Sequence, residues 1–145
     1  AGWTIERQEI NAADGATGAP GDITIYKDGA IFKAIEVTER PIDGSRVDST
    51  FSTKITLNNA AEYLFVYTND LPRENALERA KAYFAQGYNI NFVSITDLTI
   101  HILLSGDEAF RTAYNERMFE LFNAQDVQAT IKVAWNDALT EAMQA

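Results

Sequence analysis

The chain has 145 residues, 46% of them hydrophobic and 23% charged, with a formal net charge of −9. That length and apolar content support one compact core and exclude wholesale disorder, while the acidic balance argues against non-specific attraction to nucleic acid over the whole surface. The absence of cysteine excludes disulfides, thiolate zinc sites and a cysteine nucleophile, and the single histidine, His101, excludes a multi-histidine metal site. No apolar run reaches the ~20 residues of a membrane span, and no basic-then-apolar leader opens the chain, so a cytoplasmic location is expected. The abrupt start at Ala1-Gly2-Trp3, beside a predicted strand, suggests a domain of a longer protein.

Residues 3–10 read as a first strand, and the glycine-rich stretch 11–21 as a loop. Residues 22–26 and 30–38 form a predicted hairpin. Pro41-Ile42-Asp43-Gly44-Ser45 stops the second of these strands and sets up a helix capped by Asp43 or Ser45. That helix runs to about Asn58, with Val47, Phe51 and Ile55 at four-residue spacing. The near-continuous apolar run Glu62 to Thr68 suits a strand buried on both faces. An amphipathic helix over 73–86 follows, carrying Ala76, Leu77, Ala80, Tyr83 and Phe84 on one side and ending at Gly87. Residues 90–95 form a further strand. Beyond them the pattern is helical: a short helix capped by Thr96 or Asp97 through Leu104, one started by Asp107, and a last one after Ala124-Gln125-Asp126. The order predicts an α/β mixed sheet of about five strands flanked by helices, with a C-terminal helical tail. Residues 1–95 form the expected core and 96–145 a helical extension packed on the same domain.

The hairpin carries the chemistry. Asp22 and Glu36 each stand in apolar strand surroundings, where an unpartnered carboxylate is costly to desolvate. Two such acids side by side repel, and a divalent cation relieves them. Their relative placement depends on the turn. A three-residue loop ending at Gly29 pairs Tyr26 with Ala30, sets Asp22 opposite Ala34 and makes Glu36 its diagonal neighbour on one face. A two-residue Asp28-Gly29 loop pairs Lys27 with Ala30 and sends Glu36 to the other face. Alternation favours the first, because it gathers Ile23, Ile25, Ile31, Ile35 and Val37 on one face.

Gly18-Ala19-Pro20-Gly21-Asp22-Ile23 with Ala34-Ile35-Glu36-Val37-Thr38-Glu39-Arg40-Pro41, followed by a helix, resembles the catalytic stretch of type II restriction endonucleases within the PD-(D/E)XK nuclease superfamily. The resemblance covers residues 3–95. It implies a restriction-endonuclease-like fold and Mg²⁺, with Mn²⁺ as a substitute, held by Asp22, Glu36 and the carbonyl of Val37. It also implies double-stranded DNA as substrate, and two copies for double-strand cleavage, hence a homodimer. The family's lysine falls at Thr38, which can hydrogen-bond a water but carries no charge. The basic group is then expected on another element: Lys54 on the crossover helix, with Arg40 behind it. Lys33 points to the opposite face, Lys27 lies far off at the turn, and Glu39 faces away from Glu36. Glu6 and Glu9 are further acids in reach of the site.

Plainer roles compete. Asp22 can cap a turn, Glu36 can pair with Lys33 or Arg40, and Lys54 can be a solvated helix lysine. His101 and Trp135 read as structural, and Arg73, Arg79 and Lys81 as a solvated face with phosphate contact as the alternative. Three functions follow: an active Mg²⁺-dependent DNA endonuclease, a nuclease-like fold that binds DNA or protein without catalysis, and an unrelated α/β domain with an incidental acidic pair.

Overall fold

The computed structural model describes residues 2–7, 19–123 and 127–144. The expected extension of the first strand to residue 10, acidic Glu9, most of the 11–21 loop and the 124–126 helix start lie outside the described residues. The chain divides into two compact units, Ala1–Thr99 and Ile100–Ala145.

The first unit is a five-stranded mixed sheet with helices. Strands β1 (Trp3–Arg7), β2 (Ile23–Lys27) and β3 (Ala30–Thr38) are antiparallel neighbours. β4 (Glu62–Tyr67) and β5 (Asn89–Ser94) continue the sheet in parallel, in the order β1-β2-β3-β4-β5. A crossover between β3 and β4 carries helix α1 (Gly44–Thr50), a π-helical turn (Phe51–Ile55) and a short helix α2 (Thr56–Asn58). Helix α3 (Glu74–Phe84) joins β4 to β5.

Local chemistry accounts for these boundaries. Asp43 caps α1 by accepting the Arg46 backbone N–H at 3.0 Å. Asn59, at φ 52°, ends the crossover in the left-handed conformation. The four-residue spacing of Val47, Phe51 and Ile55 would drift by about 40° per step around an ideal α-helix. The wider π turn over Phe51–Ile55 offsets that drift, and Val47 and Ile55 are both fully buried. They pack with Ala34, Ile42, Tyr63, Phe65, Ala76 and Ile90 into the core between sheet and helices. β4 is buried on both faces, Tyr63 and Phe65 on one and Val66 on the other.

The hairpin turn differs from the favoured expectation. Lys27 pairs with Ala30 across a two-residue turn, with Asp28 at φ 52° and Gly29 at φ 81°. Both central residues are left-handed, a turn whose twist matches the flanking strands. Asp28 is held there by Gly2, whose N–H donates to Asp28 Oδ1 at 3.1 Å and whose carbonyl accepts from the Asp28 N–H at 3.1 Å. The register then shifts at a bulge. Tyr26 pairs with Ile31, but Ile25 pairs with Lys33, which leaves Phe32 as the extra residue. Beyond the bulge Thr24 pairs with Ala34 and Ile23 with Ile35. The bulge reverses the parity that the short turn imposes. Continued by one residue beyond the last pair, Ile23 with Ile35, that register runs Asp22 toward Glu36 rather than toward Ala34, and Ile31 packs against the core instead of joining Ile23, Ile25 and Ile35.

At the end of β5 the Ser94 hydroxyl accepts the Asp97 backbone N–H at 2.9 Å, so Ser94, and neither Thr96 nor Asp97, caps helix α4 (Ile95–Ser105). Asp107 accepts the Phe110 N–H and starts α5 (Glu108–Asn123) as expected. In the second unit Trp135 of α6 (Ala129–Gln144) stacks on Phe122 of α5 at 4.6 Å between ring centroids. No helix among the described residues is long and apolar enough to cross a membrane.

Candidate functional site

The site lies where β2 enters the sheet beside β3. Gly21 is buried, and a Cβ there would stand 2.6 Å from the Ile35 carbonyl oxygen. Only glycine lets the chain approach β3 this closely. Asp22 follows immediately, and its Oδ2 accepts the Val37 backbone N–H at 2.7 Å. The Val37 side chain points to the opposite face and is exposed.

Glu36 lies on the helix-covered face of β3 between Ala34 and Thr38, all three buried. Its side chain is 9% exposed. Oε1 accepts from Arg46 Nη2 of α1 at 2.6 Å, while Oε2 accepts from Lys54 Nζ at 3.0 Å and from the Tyr63 hydroxyl of β4 at 2.7 Å. A buried carboxylate that ionises needs such compensation. Burial alone pushes the Glu36 pKa up. The hydrogen bonds from Arg46 and Tyr63 and the charge and contact of Lys54 outweigh it and hold the carboxyl below its ordinary range. The Tyr63 hydroxyl is pushed strongly upward, first by burial, then by Glu36 and also by Asp22.

Thr38 is buried two residues beyond Glu36 on the same face, and its hydroxyl oxygen accepts the Arg40 N–H at 3.1 Å. Lys54 sits on the π-helical turn, a rare element that recurs at functional sites. The other cations fall where the sequence suggests: Lys33 Nζ lies 5.9 Å from the Phe32 ring centroid and Lys27 Nζ 5.4 Å from that of Trp3, both away from Glu36. Glu6 accepts the Tyr26 hydroxyl at 3.0 Å in the β1–β2 pair. Arg40 lines the same cleft as Glu36, Arg46 and Lys54.

Two contributors escaped sequence reasoning. Arg46 stands one turn into α1, three residues after its cap, and only the capping geometry turns it toward β3. Tyr63 is opposite Ala34, which depends on the parallel register of β4 and has no local signal.

Among the described residues no group of three or more His, Cys, Asp or Glu side chains forms a metal cluster. The available donors are two carboxylates and backbone oxygen, a hard set that suits Mg²⁺. That ion takes one or two carboxylates and fills its remaining positions with water and substrate phosphate. A carboxylate offers about four lone-pair positions, and Glu36 commits three of them to Arg46, Lys54 and Tyr63. The residues fit such an ion at Asp22 and one position of Glu36, in competition with the two cations.

Residues 1–69 match the family model described as the SacI restriction endonuclease C-terminal domain, just under half of the chain. The match spans β1 to β4 and the crossover, and includes Asp22, Glu36, Arg46, Lys54 and Tyr63. It relates this part of the chain to restriction endonucleases and points to a nuclease-related function. No curated protein gives a significant match to the chain.

Proposed function

We propose that the chain is a Mg²⁺-dependent endonuclease domain of the PD-(D/E)XK type that hydrolyses phosphodiester bonds in double-stranded DNA, with Mn²⁺ as a substitute ion. The observation that supports this reading is the contact of Lys54 with Glu36, together with Asp22 bonded to the backbone N–H of Val37, the residue after Glu36, inside the segment related to restriction endonucleases. Asp22, Glu36 and the Val37 carbonyl would hold the ion. When bound, it supplies a water of lowered pKa and positive charge against the phosphate. Thr38 keeps a hydroxyl proton free to orient a water, since its oxygen is the acceptor for Arg40. Lys54 provides the positive charge that Thr38 lacks, carried on a flexible stem from the π turn. Cleavage of both strands calls for two copies related by a two-fold axis.

The test is conversion of supercoiled plasmid to nicked and linear forms in Mg²⁺. Asp22→Asn and Glu36→Gln are expected to abolish it, and Lys54→Met to slow it strongly while leaving metal binding in place. Cleavage that survives in Glu36→Gln contradicts the assignment. One observation favours a second reading, a nuclease-like binding module without catalysis. Glu36 is already neutralised by two cations, and position 38 carries no charge. That reading predicts no effect of Mg²⁺ and DNA binding insensitive to Asp22→Ala.

A further inference from the structure

The opening above Glu36 is a polar cleft of about 330 Å³ whose walls include Arg40, Arg46 and Lys54 together with Ser49 and Thr53. Three of the chain's 12 basic residues thus line one cleft that holds a single carboxylate, in a protein whose net charge is −9. The local sign is positive where the global sign is negative. The cations on the wall are the charged donors that phosphate oxygens favour.

We propose that this cleft seats a backbone phosphate of duplex DNA, and that Arg46 and Arg40 are phosphate-contacting residues beyond the acidic pair and Lys54. The inference deepens the nuclease reading and rests on it for the choice of DNA as the ligand. Arg46 meets Glu36 through one nitrogen, Nη2, at 2.6 Å. Its guanidinium carries five N–H donors in a planar fork, so the edge turned from Glu36 is available for a second oxyanion. Its side chain is 23% exposed and that of Lys54 24%, so both reach the opening while Glu36 forms the floor at 9%. Arg40 is exposed at the rim and makes no side-chain ion pair among the described residues.

The ion triad also resolves a conflict of sign. A bare buried carboxylate repels a phosphodiester. With Arg46 and Lys54 standing on Glu36, the floor presents cations to the incoming phosphate. The same two side chains serve the carboxylate in the free protein and the phosphate in the complex.

The experiment is fluorescence anisotropy of a labelled mixed-sequence duplex in EDTA, with affinity followed from about 50 to 200 mM salt. Each lost phosphate contact lowers the slope of log affinity against log salt by about one. Arg46→Gln and Arg40→Gln are each expected to lower it by that step, and the double variant by about two. Lys27→Gln, at the hairpin turn, is expected to leave it unchanged. The Arg40 side chain is exposed and makes no ion pair among the described residues, so Arg40→Gln keeps the test decisive if Arg46→Gln fails to fold. Unchanged slopes in the Arg40 and Arg46 variants, or no duplex binding by the wild type, overturn the proposal. Reduced slopes in a protein that never cleaves DNA in Mg²⁺ would remove the nuclease reading and leave the phosphate seat. Cleavage with unchanged slopes would do the reverse.

Discussion

Two carboxylates of the first unit each hold an arginine and a tyrosine hydroxyl, in very different settings. Glu36 holds Arg46, Lys54 and Tyr63 against the sheet with its side chain 9% exposed. Asp48, on the outer side of α1, holds Arg79 at 3.1 Å and the Tyr83 hydroxyl at 2.7 Å with side-chain exposures of 36% and 57% for the acid and the arginine. The second cluster clips α1 to α3 in water, where ion pairs contribute about 0–1 kcal/mol. The first is more deeply buried and less screened by water, so each partner matters more and the loss of any one leaves charge behind. Similar residue types form a surface clip in one place and a poised site in the other, and burial makes the difference.

The contrast can be broken most sharply at the arginines. Arg46→Met is expected to destabilise by about 2–3 kcal/mol in urea unfolding, because Glu36 keeps its charge and loses a donor. Arg79→Met is expected to stay within about 1 kcal/mol. Equal effects would mean that the Glu36 site is as wet as the Asp48 site.

The geometry that carries Asp22 is tested next. Gly21→Ala drives a Cβ to within 2.6 Å of the Ile35 carbonyl oxygen, so the β2–β3 approach must open. A loss of about 2 kcal/mol is expected, together with loss of any metal response, since Asp22 moves with its neighbour. Tyr63→Phe removes one hydrogen bond to a charged acceptor and is expected to cost about 1.5 kcal/mol.

The smallest effect is on pH dependence. The Glu36 carboxyl titrates below its ordinary value of 4.5 in the folded state. Its contribution to stability is therefore present above that ordinary value and is lost as pH falls below it toward the folded pKa. Acid unfolding monitored by circular dichroism should be shallower below pH 4.5 in Glu36→Gln than in the wild type.

Much of this architecture was legible in the letters, and the failures have physical causes. Asp43 before Gly44-Ser45 announces the start of α1, and the Glu62–Tyr67 run announces a strand buried on both faces. Asp28-Gly29 fits two turns, and the bulge at Phe32, whose ring lies 5.0 Å from that of Trp3, has no signal in the letters. The expected loop was wrong, yet Asp22 and Glu36 share a face because a two-residue turn and one bulge together shift the register as far as needed. Lys54 was visible from its place beside the Val47–Phe51–Ile55 stripe. Arg46 and Tyr63 were not, because their roles arise from a cap and from a parallel register that no short window contains. The π turn has no sequence signature either.

The most direct measurement is a thermal-shift titration of the folded protein with Mg²⁺ and Mn²⁺. An ion bound only by the folded state stabilises it by about 2.7 kcal/mol at 100 times its Kd, a rise of several degrees in Tm for a chain of this size. That rise is expected in the wild type and is expected to disappear in Asp22→Asn and in Glu36→Gln. A flat titration in the wild type, or an equal rise in all three proteins, would contradict a cation site built from these two carboxylates.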